Sequence, residues 1–174
     1  MKRFVPSLVI LGVVLVTTTL AQTPAEREFA GTYQRWIDED VVYIATPDER
    51  ARFLALTDNA ARDSFIVQFW EKRNPNPGNP ENTFKEEHYR RIAYSNAHFA
   101  AGVPGWKTDR GCVYIVNGPP DEIQSTVTPP HPSQVWKYKS GKQFRFVDEC
   151  DCGQYRISGE SQNKGLQLQW LPKN

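Results

Sequence analysis

The chain predicts an α+β fold in which N-terminal helices pack on one face of a C-terminal antiparallel meander sheet. Three observations carry that expectation. Between residues 24 and 101 the apolar positions recur at intervals of three and four, the spacing of one helix face. Beyond Pro104 they recur at intervals of two, as in strands that bury one side only. Ser140-Gly141 separates two of those alternating runs at hairpin distance.

In chain order, residues 1–21 have the layout of a secretory signal. Lys2 and Arg3 are followed by an apolar stretch from Leu8 to Val16, and Thr19-Leu20-Ala21 offers small residues for cleavage after Ala21. An uncleaved anchor helix is the alternative. Phe4 to Ala21 approaches the roughly 20 residues that span a bilayer, but Pro6 and three threonines weaken it. Residues 22–174 then form a single domain of ordinary size, helical over about 24–101 and β over about 111–171.

Phe29, Tyr33, Trp36 and Ile37 form one face of a helix from Pro24 to about Glu39. Pro47 opens a short second helix at its first turn, where a missing N–H costs little. Asp58 or Thr57 caps a third, running to about Arg73 with a stripe of Ala61, Phe65, Ile66, Phe69 and Trp70. The alternating prolines of Asn74–Pro80 forbid helix there. Asn82 or Thr83 starts a fourth helix that ends near Gly102. Strands are expected at Cys112–Val116, Val135–Lys139, Gln143–Val147, Gln154–Ile157 and Leu166–Trp170, with Thr128–Pro132 as a surface loop.

The 21 basic and 20 acidic residues nearly balance, and loss of Lys2 and Arg3 with the signal keeps them so. That excludes the basic footprint of a nucleic-acid binder and an electrostatic membrane anchor, leaving the membrane only through the signal segment. No cofactor is implied. The turn Gly118-Pro119-Pro120 lacks two N–H donors of a phosphate cradle, and there is no Gly-x-Ser-x-Gly elbow. Of the three cysteines, Cys112 is expected to bridge to Cys150 or Cys152, because a bridge within the Cys-x-Cys pair closes a very tight ring. Three reduced thiols are the alternative. A zinc set of Cys112, Cys150, Cys152 and His131 lacks the usual gap between paired cysteines, so no metal is expected.

The run from Gly105 through Trp106, Lys107, Thr108 and Asp109 to Glu122 resembles the signature of the GWxTD domain family. The similarity extends to Phe69–Arg73 with Asn74-Pro75, to Glu86–Arg91, to Trp136-x-Tyr138 and to Phe146-Val147-Asp148. The resemblance implies an exported bacterial domain and brings no catalytic residues with it.

Two readings of the site compete. In the first, a non-enzymatic interaction or structural module of the cell envelope contacts an envelope or secreted protein, or a glycan. It does so through the Asn74–Glu81 loop and the Gly105–Arg110 loop, with Trp106, Lys107, Asp109 and Arg110 as contact residues. In the second, a hydrolase uses Glu87 and His88 with Asp109, Asp121 or Glu122. Structural alternatives stand beside each. Trp106 plugs the helix–sheet seam, Asp109 and Arg110 satisfy loop backbone, and His88 holds a carbonyl in the core. Glu86–Arg90 and Glu87–Arg91 are helix-supporting pairs worth about 0.2–0.5 kcal/mol each. With a strand at Cys112–Val116, Asp109 and Asp121 stand roughly 17 Å apart, too far to share a proton.

Overall fold

A computed structural model describes residues 31–128 and 130–158, so the signal segment, the start of the first helix and the Leu166–Trp170 strand lie outside the described residues. Among them no helix is long and apolar enough to cross a membrane. The first helical segment loosens into a π-turn over Trp36–Asp40 and buries Trp36 and Ile37. Helix α1 (Pro47–Leu54) begins with Pro47 in its first turn and a reciprocal capping box between Thr46 and Glu49. Helix α2 (Asn59–Glu71) starts where Asp58 accepts the Ala61 N–H at 2.9 Å. Trp36, Ile37, Val41, Phe53, Phe69 and Trp70 meet in a first core. Its centre is aromatic. The Trp36 ring lies 4.9 Å from Phe53 and 5.2 Å edge-on to Phe69, contacts worth about 0.5–1.5 kcal/mol each beyond burial.

The Asn74–Pro80 connection is non-helical, as its prolines require. Side chains hold its two ends. Arg73 pairs with the buried Glu49 at 2.7 Å and donates to the Ile44 carbonyl at 3.0 Å. Asn74 accepts from the Asn76 N–H and donates to the Asn79 carbonyl. Asn82 donates to the Trp70 carbonyl at 2.7 Å while its oxygen caps α3 (Thr83–Phe99) at Lys85. These 17 residues run about 25 Å at 1.5 Å per residue. Tyr89 touches the first core and Phe99 enters a second.

The expected strand at Cys112–Val116 is instead helical. A 3₁₀ turn at Gly105–Lys107 leads into α4 (Asp109–Asn117), capped by Thr108. The β-branched run misled because α4 is wedged between α3 and the sheet. Asp109 and Gly111–Ile115 are all buried there, and the run's β-branched composition is that of a strand. The helix stops at Gly118, whose φ of +81° a side chain rarely adopts.

The sheet is an antiparallel meander in the order β1-β2-β3-β4. Its strands are β1 (Glu122–Thr126), β2 (Ser133–Lys137), β3 (Gln143–Val147) and β4 (Arg156–Ile157). The hairpin at Ser140-Gly141 is present, with the Gly141 N–H on the Tyr138 carbonyl at 2.9 Å. Register places Ile123, Trp136 and Phe144 side by side, and Phe146 beside Ile157, on the face that α3 and α4 cover. These sheet residues, Ile123 excepted, join Phe99, Val113 and Tyr114 in the second core. The domain is α+β, with two cores strung along α3. β1 was not foreseen, because Glu122-Ile123-Gln124-Ser125-Thr126 has one large apolar residue, and that residue is half exposed.

The cysteine pairing also differs from expectation. Cys150 and Cys152 are bonded to each other with Cα atoms 5.2 Å apart. Cys112 is free and buried within α4. A helix turns its side chain into the core rather than along a sheet toward the other two. Burial, helped by the nearby Asp109 carboxylate, pushes its thiol up to about 12, which makes it an inert core group.

Candidate functional site

The signature residues form a stack of backbones. Gly105 rests on α3 so closely that a Cβ there would lie 1.8 Å from the Ser95 carbonyl oxygen. Gly111, in the first turn of α4, rests in turn on Gly105, where a Cβ would lie 1.9 Å from that residue's carbonyl oxygen. Three backbones are therefore in direct contact, and only glycine fits at two of the three positions. Thr108 locks the stack. Its hydroxyl donates to the Gly105 carbonyl at 2.7 Å and accepts the Gly111 N–H at 3.0 Å, which caps α4.

Asp109, the first residue of α4, is buried and accepts the Ile157 N–H at 2.6 Å, tying the helix N-terminus to the last described strand. Arg156 lies 3.8 Å from the same carboxylate. Arg110 donates to the Gly153 carbonyl at 3.3 Å, and its guanidinium sits 4.1 Å from the centre of the Tyr155 ring. Burial lowers its affinity for its proton from the ordinary arginine value.

Trp106 does not enter the helix–sheet seam. Its N–H binds the Asn96 side chain at 3.0 Å, its carbonyl accepts from the Tyr43 hydroxyl at 2.8 Å, and its ring packs edge-on to Tyr43 at 6.3 Å. It thus fastens the first helical region to the turn. Burial also raises the Tyr43 hydroxyl above its ordinary value, which keeps it a donor at any physiological pH. Lys107, the variable position of the motif, is exposed with its ammonium 4.9 Å above the Trp106 ring. Gly105, Trp106, Thr108 and Asp109 each have a structural task, while Lys107 faces outward.

The acid–base candidates are held apart by separate partners. His88 is 3 % exposed, with Nε2 2.6 Å from the Asp40 carbonyl and the rings of Trp70, Tyr89 and Phe84 around it. A carbonyl accepts only, so Nε2 carries the proton and donates it. Burial holds the pKa of this imidazole below the ordinary histidine value, consistent with a neutral core donor. Glu87 accepts from Arg90 at 2.7 Å and Arg91 at 2.8 Å, and its carboxyl is lowered chiefly by the Arg91 bond. Arg91 also reaches the Ile115 carbonyl at 3.2 Å, joining α3 to α4. Asp121 takes the Lys139 N–H at 2.7 Å, and this bond, with the Lys139 ammonium, lowers its carboxyl. Glu122 faces Gln124 and Lys137 on the sheet surface. Among the described residues no hydrogen bond or ion pair joins any two of Glu87, His88, Asp109, Asp121 and Glu122. The interval between Asp109 and Asp121 is set by a nine-residue helix, about 13 Å long, rather than by a strand.

A feature absent from the sequence reading lies between α2 and α3. A groove of about 470 Å³ is lined by Ile66, Val67, Trp70 and Tyr89, together with Pro80 and Lys85. Val67 is 61 % exposed, so it serves the groove rather than the core. In the sequence Val67 reads as one more apolar residue, because the Asn74–Glu81 loop that shapes the mouth has no fixed course before folding. Asp148, Cys150 and Cys152 are grouped with their potential ligand atoms within 4.8 Å of one another. The two sulfurs are bonded together, and Cys112 lies apart in α4.

Fold and site together define a two-core α+β domain organised around a glycine-stacked turn. The GWxTD domain family matches residues 23–152, and the chain belongs to it. No curated protein and no solved structure matches the chain.

Proposed function

We propose that this GWxTD domain is a non-enzymatic interaction module, exported through residues 1–21 and working at the cell envelope. The observation that carries this reading is the use of the signature. Its fixed residues are engaged in holding α3, α4 and β4 together, while the acid–base candidates are tied into separate structural contacts. The groove beside the Asn74–Glu81 loop supports the same reading. It offers aromatic and aliphatic surface, with Lys85, Glu71 and Glu86 also in its lining. Mixed charge around an apolar floor suits a protein segment better than a polyanion.

The contact region therefore comprises this groove with its loop, and Lys107 with Trp106 on the neighbouring turn. The test is capture from cell envelopes by the mature domain and by two folded variants, Val67→Glu and Lys107→Glu. A bound protein retained by the parent and lost with Val67→Glu supports the groove. The same capture by all three proteins rules this contact region out.

A further inference from the structure

The turn between β3 and β4 holds chemistry that the interaction reading does not use. Cys150 and Cys152 are bonded across a single residue, Asp151, and both are exposed. A bridge that closes so short a loop removes little freedom from the unfolded chain, so it belongs with the least stabilising disulfides. The turn has other supports. The buried Asp148 carboxylate accepts the N–H of Cys152 at 3.2 Å and of Gly153 at 2.7 Å. The Asp148 N–H is held by the Pro132 carbonyl at 2.9 Å, and Arg110 holds Gly153 from α4. These bonds hold the turn at points other than the bridge itself. An exposed bridge on a scaffold that does not need it is suited to reversible opening.

We propose that Cys150–Cys152 is a thiol–disulfide exchange site whose substrate is a low-molecular-weight thiol. Asp148 sets the direction of attack. Its Oδ1 lies 3.3 Å from the Cys150 sulfur, where it accepts a hydrogen bond from the Cys150 thiol once that thiol forms. This favours the protonated form of Cys150 and leaves Cys152 as the better leaving thiolate. Two backbone donors take up the carboxylate charge.

An incoming thiolate attacks the Cys150 sulfur. The Cys150–Cys152 bond breaks, and its electron pair leaves on Cys152, which takes a proton from water. A second thiolate attacks the external sulfur of the mixed disulfide and releases Cys150, which is protonated and donates to Asp148. Two small thiols are oxidised to one disulfide, and the protein disulfide is reduced to two thiols. The reverse sequence restores the bridge.

The experiment uses the oxidised full chain in buffers of reduced and oxidised glutathione, quenched in acid, alkylated and mapped by mass. Near-UV circular dichroism is recorded in parallel. The expected result is joint appearance of the Cys150 and Cys152 thiols at millimolar reduced glutathione, with the spectrum unchanged and the bridge restored by oxidised glutathione. In single variants, Cys152 in Cys150→Ser is expected to alkylate about tenfold faster than Cys150 in Cys152→Ser, whose thiol donates to Asp148. Three results overturn the proposal: reduction only after denaturant is added, loss of the near-UV spectrum on reduction, or oxidised protein in which these cysteines are not joined. Equal alkylation of the two variants overturns the role given to Asp148.

Discussion

Replacing Gly111 by alanine tests the backbone stack through its sign. Gly111 is the third residue of α4, and a glycine-to-alanine change within a helix ordinarily stabilises by up to about 1 kcal/mol. Here the added Cβ would stand 1.9 Å from the Gly105 carbonyl oxygen and 2.8 Å from its carbon, both backbone atoms. Ordinary contact needs more than 3 Å, so α4 must retreat by over 1 Å from the turn that caps it. Overpacking of this kind costs about 1–3 kcal/mol even where flexible side chains give way. With backbone on both sides the upper end applies, and the net expectation is destabilisation by about 2–3 kcal/mol. Gly105→Ala, 1.8 Å from the Ser95 oxygen, is expected to cost at least as much. Gly141→Ala is the control, since nothing lies near its Cβ and only its positive φ is penalised, by about 1 kcal/mol. Urea unfolding of the three variants gives the ordering directly. A Gly111→Ala protein as stable as the parent, or more so, would falsify the stack.

Three further expectations follow from named contacts. Burial alone would raise the Glu49 carboxyl, but Arg73, the Thr46 N–H and Lys72 overcome it and lower the pKa from 4.5 to about 2. A lowered carboxylate stabilises the fold above its unfolded pKa, so about 3 kcal/mol is lost as pH falls from near 4.5 to about 2. Acid titration of stability should show this slope in the parent and not in Glu49→Gln. Asp109→Ala removes the buried bond from the Ile157 N–H to the Asp109 carboxylate and should cost about 1–3 kcal/mol, with faster hydrogen exchange confined first to β4. Unchanged protection of Ile157 would remove Asp109 from its assigned task. The proposed export predicts a mature chain whose N-terminal sequence begins at Gln22; a chain still starting at Met1 in the membrane fraction would point to an anchor instead.

The helix starts at Pro47, Asp58 and Asn82 were legible because capping is local chemistry: a short polar side chain or a proline at one position decides the geometry of the next turn. The Ser140-Gly141 hairpin was legible for the same reason. His88 could be placed in the core from its neighbours Phe84 and Ile92 on one face, although its carbonyl partner, 48 residues away, could not. What failed depended on contacts distant in sequence. The Cys112–Val116 run has the composition of a strand, and its packing in α4 against α3 and the Gly105 turn could not be read from it. The cysteine pairing failed for a different reason: a bridge inside Cys-x-Cys reads as too tight, and the turn after Asp148 closes it. The separation of the aromatic residues into two cores was also hidden, because one stripe along α3 serves both.

That shared helix makes the molecule a lever. The groove grips α3 at Lys85, Glu86 and Tyr89, while Phe99 at the other end is seated against Trp136 in the sheet. A rod about 25 Å long, tilted by about 5° about its groove end, carries its far end about 2 Å sideways. Ser95, where the turn is stacked backbone on backbone, lies on the moving arm and has no slack to absorb that sweep. A displacement of α3 at the groove would therefore meet the turn and the sheet through direct contacts of that same helix.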